Sequence, residues 1–148
     1  MIVYPTENYD SWISVADAQT YFDSRLRCDE WAALATDAEK EVALQTGFRS
    51  INELDLNIAF DDDLIISTTA YTDTEQAKIL TALELAQAEQ SLHELRFDID
   101  NQGVKSVSLG GMLSFTLNPG EEKPPRYSER ALAILRPYLR AKTLSRFR

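Results

Sequence analysis

Few residues in this chain are of types that do chemistry, and none is arranged for it. His93 is the single histidine, and its neighbours Glu94 and Arg96 offer no nucleophile for a base to activate. Cys28, the single cysteine, has the type of a thiol nucleophile, but a small packing residue is the simpler role. The run Asp98-Ile99-Asp100-Asn101-Gln102-Gly103 opens like a calcium loop, with oxygen donors at alternate positions and a glycine at the sixth. Its twelfth position, which needs a bidentate glutamate, is Leu109, and a strand pattern follows where a second helix should stand. A polar turn is therefore expected there, and no metal. Asp61-Asp62-Asp63 lacks the paired geometry of carboxylate catalysis and should be solvated. The five glycines form no phosphate loop or dinucleotide fingerprint, and no serine stands in a Gly-x-Ser-x-Gly elbow. The expectation is a protein that is not an enzyme and takes no cofactor.

What remains is charge. The chain has 148 residues and a formal net charge of −9, from 24 acidic against 15 basic residues. The first 122 residues hold 23 acids and 7 bases, a balance of −16; the last 26 hold 8 bases and only Glu129, a balance of +7. Such a body should repel nucleic acid, while the basic end can seek an acidic partner or serve as a solvated helix end. The lone cysteine excludes an internal disulfide and fits a reducing compartment. No apolar run approaches the roughly 18 residues of a membrane span. Met1-Ile2-Val3-Tyr4-Pro5 soon meets Glu7 and Asp10, unlike a signal peptide, so a soluble protein assembled inside a cell is expected.

The elements are announced by their caps. Ser14-Val15-Ala16-Asp17 starts a first helix, with Trp12 or Ile13 as a staple and Tyr21, Phe22 and Leu26 as its buried stripe. A break at Arg27-Cys28-Asp29 precedes Trp31, an aromatic of core size. Thr36-Asp37-Ala38-Glu39 is a full capping box for a second helix carrying Ala38, Val42, Ala43, Leu44, Phe48, Ile51 and Leu54. Gly47 inside it costs about 1 kcal/mol relative to Ala, so either another helix approaches closely or the helix breaks. Residues 55–72 read as an extended arm or loop. A second box, Thr72-Asp73-Thr74-Glu75, opens a third helix to about Arg96. Its apolar face is broad enough for burial between two partners, within the fold or across subunits: Leu85, Ala88, Leu92 and Leu95 are joined by Ile79, Leu83 and Ala86. The period then changes to two. Val107 and Leu109, then Leu113, Phe115 and Leu117, flank Gly110-Gly111 as a hairpin over 104–117. Residues 121–127 read as an extended linker, and Ser128 caps a last helix that Pro137 bends or ends. The fold class is mainly α: a small bundle of about four helices, with one β-hairpin and an extended C-terminal arm. One domain is expected over residues 1–148, an acidic body with hairpin over 1–122 and a basic helix and tail over 123–148.

The order of these motifs resembles a known family. Ile13-Ser14-Val15-Ala16-Asp17-Ala18, Tyr21-Phe22, Arg25, Trp31, Thr36-Asp37-Ala38-Glu39-Lys40-Glu41 and Ala43-Leu44 are similar to the opening of head–tail connector, or adaptor, proteins of tailed phages and prophages. Residues 103–110 and 131–139 continue the likeness, which covers about two-thirds of the chain; the stretch 55–72 departs from it, lacking an aromatic-Pro-Arg segment. Some members carry the label DnaT-like single-stranded-DNA-binding protein. The resemblance implies a virion protein at the head–tail interface, assembled in the host cytoplasm. It implies a dodecameric ring between the portal protein and the next tail or stopper protein, through which genomic DNA passes without specific binding, and no membrane. Within that reading, residues 126–148 are expected to enter the portal, through Arg126, Arg130, Arg136, Tyr138, Leu139, Arg140, Leu144, Arg146, Phe147 and Arg148. Val107, Leu109, Leu113 and Phe115 of the hairpin are expected at a contact with neighbouring copies or the tail. The alternative is a single-stranded-DNA binder, which needs a basic groove with stacking aromatics; the charge distribution disfavours it.

Overall fold

The computed structural model describes residues 1–62, 64–97 and 125–140. Among these it is mainly helical and contains no sheet: α1 (Val15–Asp23), α2 (Asp29–Ala32), α3 (Asp37–Asn52), α4 (Asp73–Arg96), α5 (Glu129–Leu135), and a 3-10 turn over Arg136–Tyr138. A small helical bundle is the observed fold. The hairpin expected at 104–117, with Val107, Leu109, Leu113 and Phe115, lies outside the described residues, as does the calcium-like run at 98–109.

The caps set the helix starts as expected. The Ser14 hydroxyl accepts from the Asp17 N–H, and both Thr36/Glu39 and Thr72/Glu75 close complete boxes. Ile13, just before the first cap, packs in one cluster with Ala18 as the staple, while Trp12 turns into the other cluster. Chain reversal at Arg27, with φ 63°, makes the expected break and lets α2 bury Trp31 against Phe22. Leu26 departs from expectation. Helix α1 ends at Asp23, so Leu26 falls outside the helical register and is 88% exposed. Ala38 and Val42 also face outwards, because the buried side of α3 is Ala43, Leu44, Gly47 and Ile51.

Helix α4 is the axis of the fold. It packs against α3, α5 and α2, and every residue from Ala86 to Leu92 is buried. Most of its broad apolar face is thus covered within the fold, while Leu85 and Leu95 stay half-buried. Ile79, Leu83 and Ala86 join one core cluster with Trp12, Ile51 and Leu135; Ala88 and Leu92 join the other with Phe22, Trp31 and Leu44. Close approach explains Gly47. A Cβ there would lie 2.8 Å from the Gln87 carbonyl oxygen and 2.9 Å from the Ser91 nitrogen, so α3 and α4 meet backbone to backbone at this point. Residues 55–72 form an irregular loop drawn onto the body. An isolated bridge pairs Phe60 with Ile66, and Ile58 and Ile66 are buried. The Tyr4 hydroxyl accepts from the Ile66 N–H at 3.1 Å, and the Tyr9 hydroxyl donates to the Leu64 carbonyl at 2.8 Å.

Candidate interaction surface

The basic C-terminal segment is seated on the body from residue 125 to residue 140. Tyr127, Ala131, Leu135 and Leu139 are buried in the first core cluster. Gln90 of α4 clasps the entrance to α5: its Nε2 donates to the Arg126 carbonyl at 3.1 Å, and its Oε1 accepts from the Ser128 N–H at 2.9 Å. At the far end the Asn57 N–H donates to the Tyr138 carbonyl at 2.7 Å, and Leu139 bridges to Leu56.

The cations of this segment meet body carboxylates. Arg126 pairs with Glu53, and Arg140 Nε lies 3.4 Å from Asp55 Oδ1. Both pairs are exposed, so each contributes at most about 1 kcal/mol. Arg130 NH1 lies 3.7 Å from Glu89 Oε1. Arg136 is exposed and makes no ion pair among the described residues. Of the residues expected at the portal, Arg126, Arg130, Tyr138, Leu139 and Arg140 are thus held by the protein itself. Leu144, Arg146, Phe147 and Arg148 lie outside the described residues.

Glu89 was not singled out by residue type or spacing. It is 2% exposed on α4, where Arg25 NH1 stands 3.0 Å from Oε2 and the Tyr21 hydroxyl donates to Oε1 at 2.5 Å. Loss of solvent, reinforced by the Glu89 hydrogen bond, pushes the Tyr21 hydroxyl up to about 12. This carboxylate ties α1, α4 and α5 together. Gln87 does similar work nearby, accepting from the Trp12 N–H and donating to Ser11 Oγ and the Leu44 carbonyl, each at 2.8 Å. One signal could have found them: α4 carries two apolar stripes, and residues lying between two stripes are enclosed as well.

The other residues read for chemistry have structural partners. His93 Nε2 is 2.6 Å from the Pro125 carbonyl oxygen, and its ring packs on Phe97. Cys28 lies against the second core cluster. Asp61 accepts from the Thr68 N–H at 3.2 Å, and Asp62 is exposed. Among the described residues no cluster of His, Cys, Asp and Glu could hold a metal ion, and no helix is long and apolar enough to cross a membrane. Tyr4, Tyr9 and Phe48, each half-buried, and the buried Trp12 form a chain of edge-on and tilted ring contacts. Phe97, 39% exposed, is the only exposed aromatic among the described residues.

One surface feature is open. Beyond the contact at Gly47, a groove of about 510 Å³ lies between the first half of α3 and the last turns of α4. Among the described residues, Leu34, Ala38, Val42 and Leu95 line it, with the carboxylates of Glu39 and Glu94 and no cation. Val42 is 62% exposed.

Comparison of the chain with protein-family models, with curated proteins and with solved structures found no match.

Proposed function

We propose that the chain is a head–tail connector adaptor of a tailed phage or prophage, working in the virion as a ring between the portal and the tail. The reading is carried by the order of its motifs. Ser14/Asp17, Thr36/Glu39 and the 131–139 run, which resemble the connector family in sequence, are here the cap of α1, the cap of α3 and the C-terminal element of one helical body. An acidic body suits a channel wall that DNA must slide past, because attraction to phosphate would be strong and salt-dependent. Portal contact is assigned to the basic C-terminal end. Within it the contact is assigned to Arg136, which is exposed and makes no ion pair among the described residues, and to residues 141–148, which carry Lys142, Arg146 and Arg148 beside Leu144 and Phe147.

The test is a truncation. A chain ending at Arg140 keeps every described contact and should retain its fold while losing binding to its own genome's portal ring. Retained binding would refute the assignment of the contact to this end. Cutting after Arg136 is a poorer test, because it removes Leu139, 7% exposed, and the Asn57–Tyr138 hydrogen bond. The DNA-binding reading has less support. A single-strand binder needs open aromatic faces beside cations, whereas Tyr4, Tyr9, Phe48 and Trp12 are buried or half-buried and packed on one another.

A further inference from the structure

We propose that copies of the chain associate head to tail through two exposed turns, the basic turn at Leu26 of one copy meeting the acidic turn at Leu64 of the next. These are the two most exposed large apolar side chains among the described residues, at 88% and 64%. Each sits in a turn held by a positive φ at a residue type that seldom adopts it: φ is 63° at Arg27 and 59° at Leu64. Asn8, the other non-glycine with positive φ among the described residues, is of a type that tolerates it. A bond from a distant element fixes each turn. Arg96 donates to the Arg27 carbonyl, and the Tyr9 hydroxyl donates to the Leu64 carbonyl. Both leucines are thus presented outward on a fixed, strained backbone, the arrangement of a side chain kept for a contact.

Charge makes the two turns complementary. Arg27 is exposed and makes no ion pair among the described residues, while Arg96 takes up Glu30 nearby. Asp62 is exposed and likewise makes no ion pair among the described residues. Leucine against leucine supplies the apolar centre of the contact, and Arg27 against Asp62 supplies steering. Position requires a second copy. Arg96, the last residue of α4, holds the Leu26 turn. At the other end stands Tyr71, just before the α4 cap. Its hydroxyl accepts from the Ala59 N–H and its N–H donates to the Ser67 carbonyl, so the loop carrying Leu64 sits at the start of the helix. The two turns stand at opposite ends of a helix of 24 residues, about 36 Å long, and cannot meet within one chain. A contact between unlike surfaces is heterologous and repeats head to tail, closing into a ring where the rotation permits. The proposal deepens the adaptor reading, on which only the ring closure rests, and it uses neither Arg136 nor residues 141–148.

The experiment is sedimentation of the full chain, with no portal present, over a range of concentrations. Concentration-dependent association that weakens as salt rises is the expected result. Leu64→Asn removes the apolar contact and supplies a residue that accepts positive φ, so the fold is kept, as thermal melting will verify. The apparent Kd of association should rise about tenfold or more in that variant. Arg27→Glu and Asp62→Lys should each weaken association about threefold or more at low salt, and the double variant should restore it, because the reversed charges again meet as opposites. A chain that is monomeric at every concentration would overturn the proposal, as would a double variant that associates no better than its single parents. Association lost in Leu64→Asn yet indifferent to Arg27→Glu would overturn it too, since that result places two Leu64 turns against each other. Portal binding is read separately by co-elution, so failure of either measurement leaves the other standing.

Discussion

At the residue scale the structure turns on Gly47 and Glu89, two positions that differ in how legible they were. Gly47 stood out because glycine is unfavourable in mid-helix, and its role is contact with the α4 backbone. Gly47→Ala should therefore destabilise the protein by about 1–3 kcal/mol in chemical denaturation, overpacking outweighing the gain in helix propensity of about 1 kcal/mol. An unchanged or raised midpoint would contradict the close approach. Glu89 could not be read from its own type, since a glutamate in a long helix is normally solvated; only the enclosure of α4 on several sides makes it a core residue. Removing it leaves Arg25, whose side chain is 15% exposed, without its counter-charge. Glu89→Ala should cost about 3 kcal/mol or more. The hydrogen bond to Glu89 also predicts a spectroscopic sign. Because Tyr21 has a raised pKa in the fold, its contribution to stability is present below pH 10 and is lost as pH rises through about 12. An ultraviolet titration should show a late-ionising tyrosine, and Glu89→Gln should bring it earlier. Leu26 and Val42 escaped the reading for a different reason. Apolar type predicts burial only while the helix continues or its face is turned inward.

At the element scale the starts of the helices were legible and their surroundings were not. A capping box is a local interaction over four residues, so Thr36/Glu39 and Thr72/Glu75 declared α3 and α4 without any knowledge of packing. By contrast, α2 is four residues long and exists because Trp31 needs a place against Phe22, which no local signal encodes. Residues 55–72 read as an arm because they lack periodicity; Tyr4 and Tyr9, distant in sequence, draw them onto the body. Acid should act on the caps. Glu39 and Glu75 are held below the usual glutamate range, chiefly by the backbone N–H of Thr36 and of Thr72. Their stabilisation is present above the ordinary value near ~4.3 and is lost as pH falls through the lowered one. Glu84 works with the opposite sign: burial, then Asp17, raises its pKa, so its contribution is present at low pH and is lost as pH rises through the raised value. Thr72→Ala should cost about 1 kcal/mol at neutral pH, and the difference from the parent should narrow in acid as Glu75 is protonated. A cost independent of pH would argue that the box is not closed in solution.

At the scale of the whole molecule, the helical class and the division of charge were legible from composition and period. The seating of the basic end was not. Charge counting made residues 123–148 look like a free tail, whereas Arg126, Arg130 and Arg140 pair with Glu53, Glu89 and Asp55 of the body. Three of the eight bases of that end are thus paired with the body, and the portal contact is assigned to Arg136 and residues 141–148. A body this acidic, with Phe97 as its one exposed aromatic among the described residues, should bind oligonucleotides weakly at low salt and not at physiological salt. The most direct test of the adaptor proposal is the light-scattering mass of this protein mixed with its own genome's portal ring after gel filtration. A complex holding one copy of this chain per portal subunit is the expected result. Separate elution of an intact portal ring and this protein would contradict it.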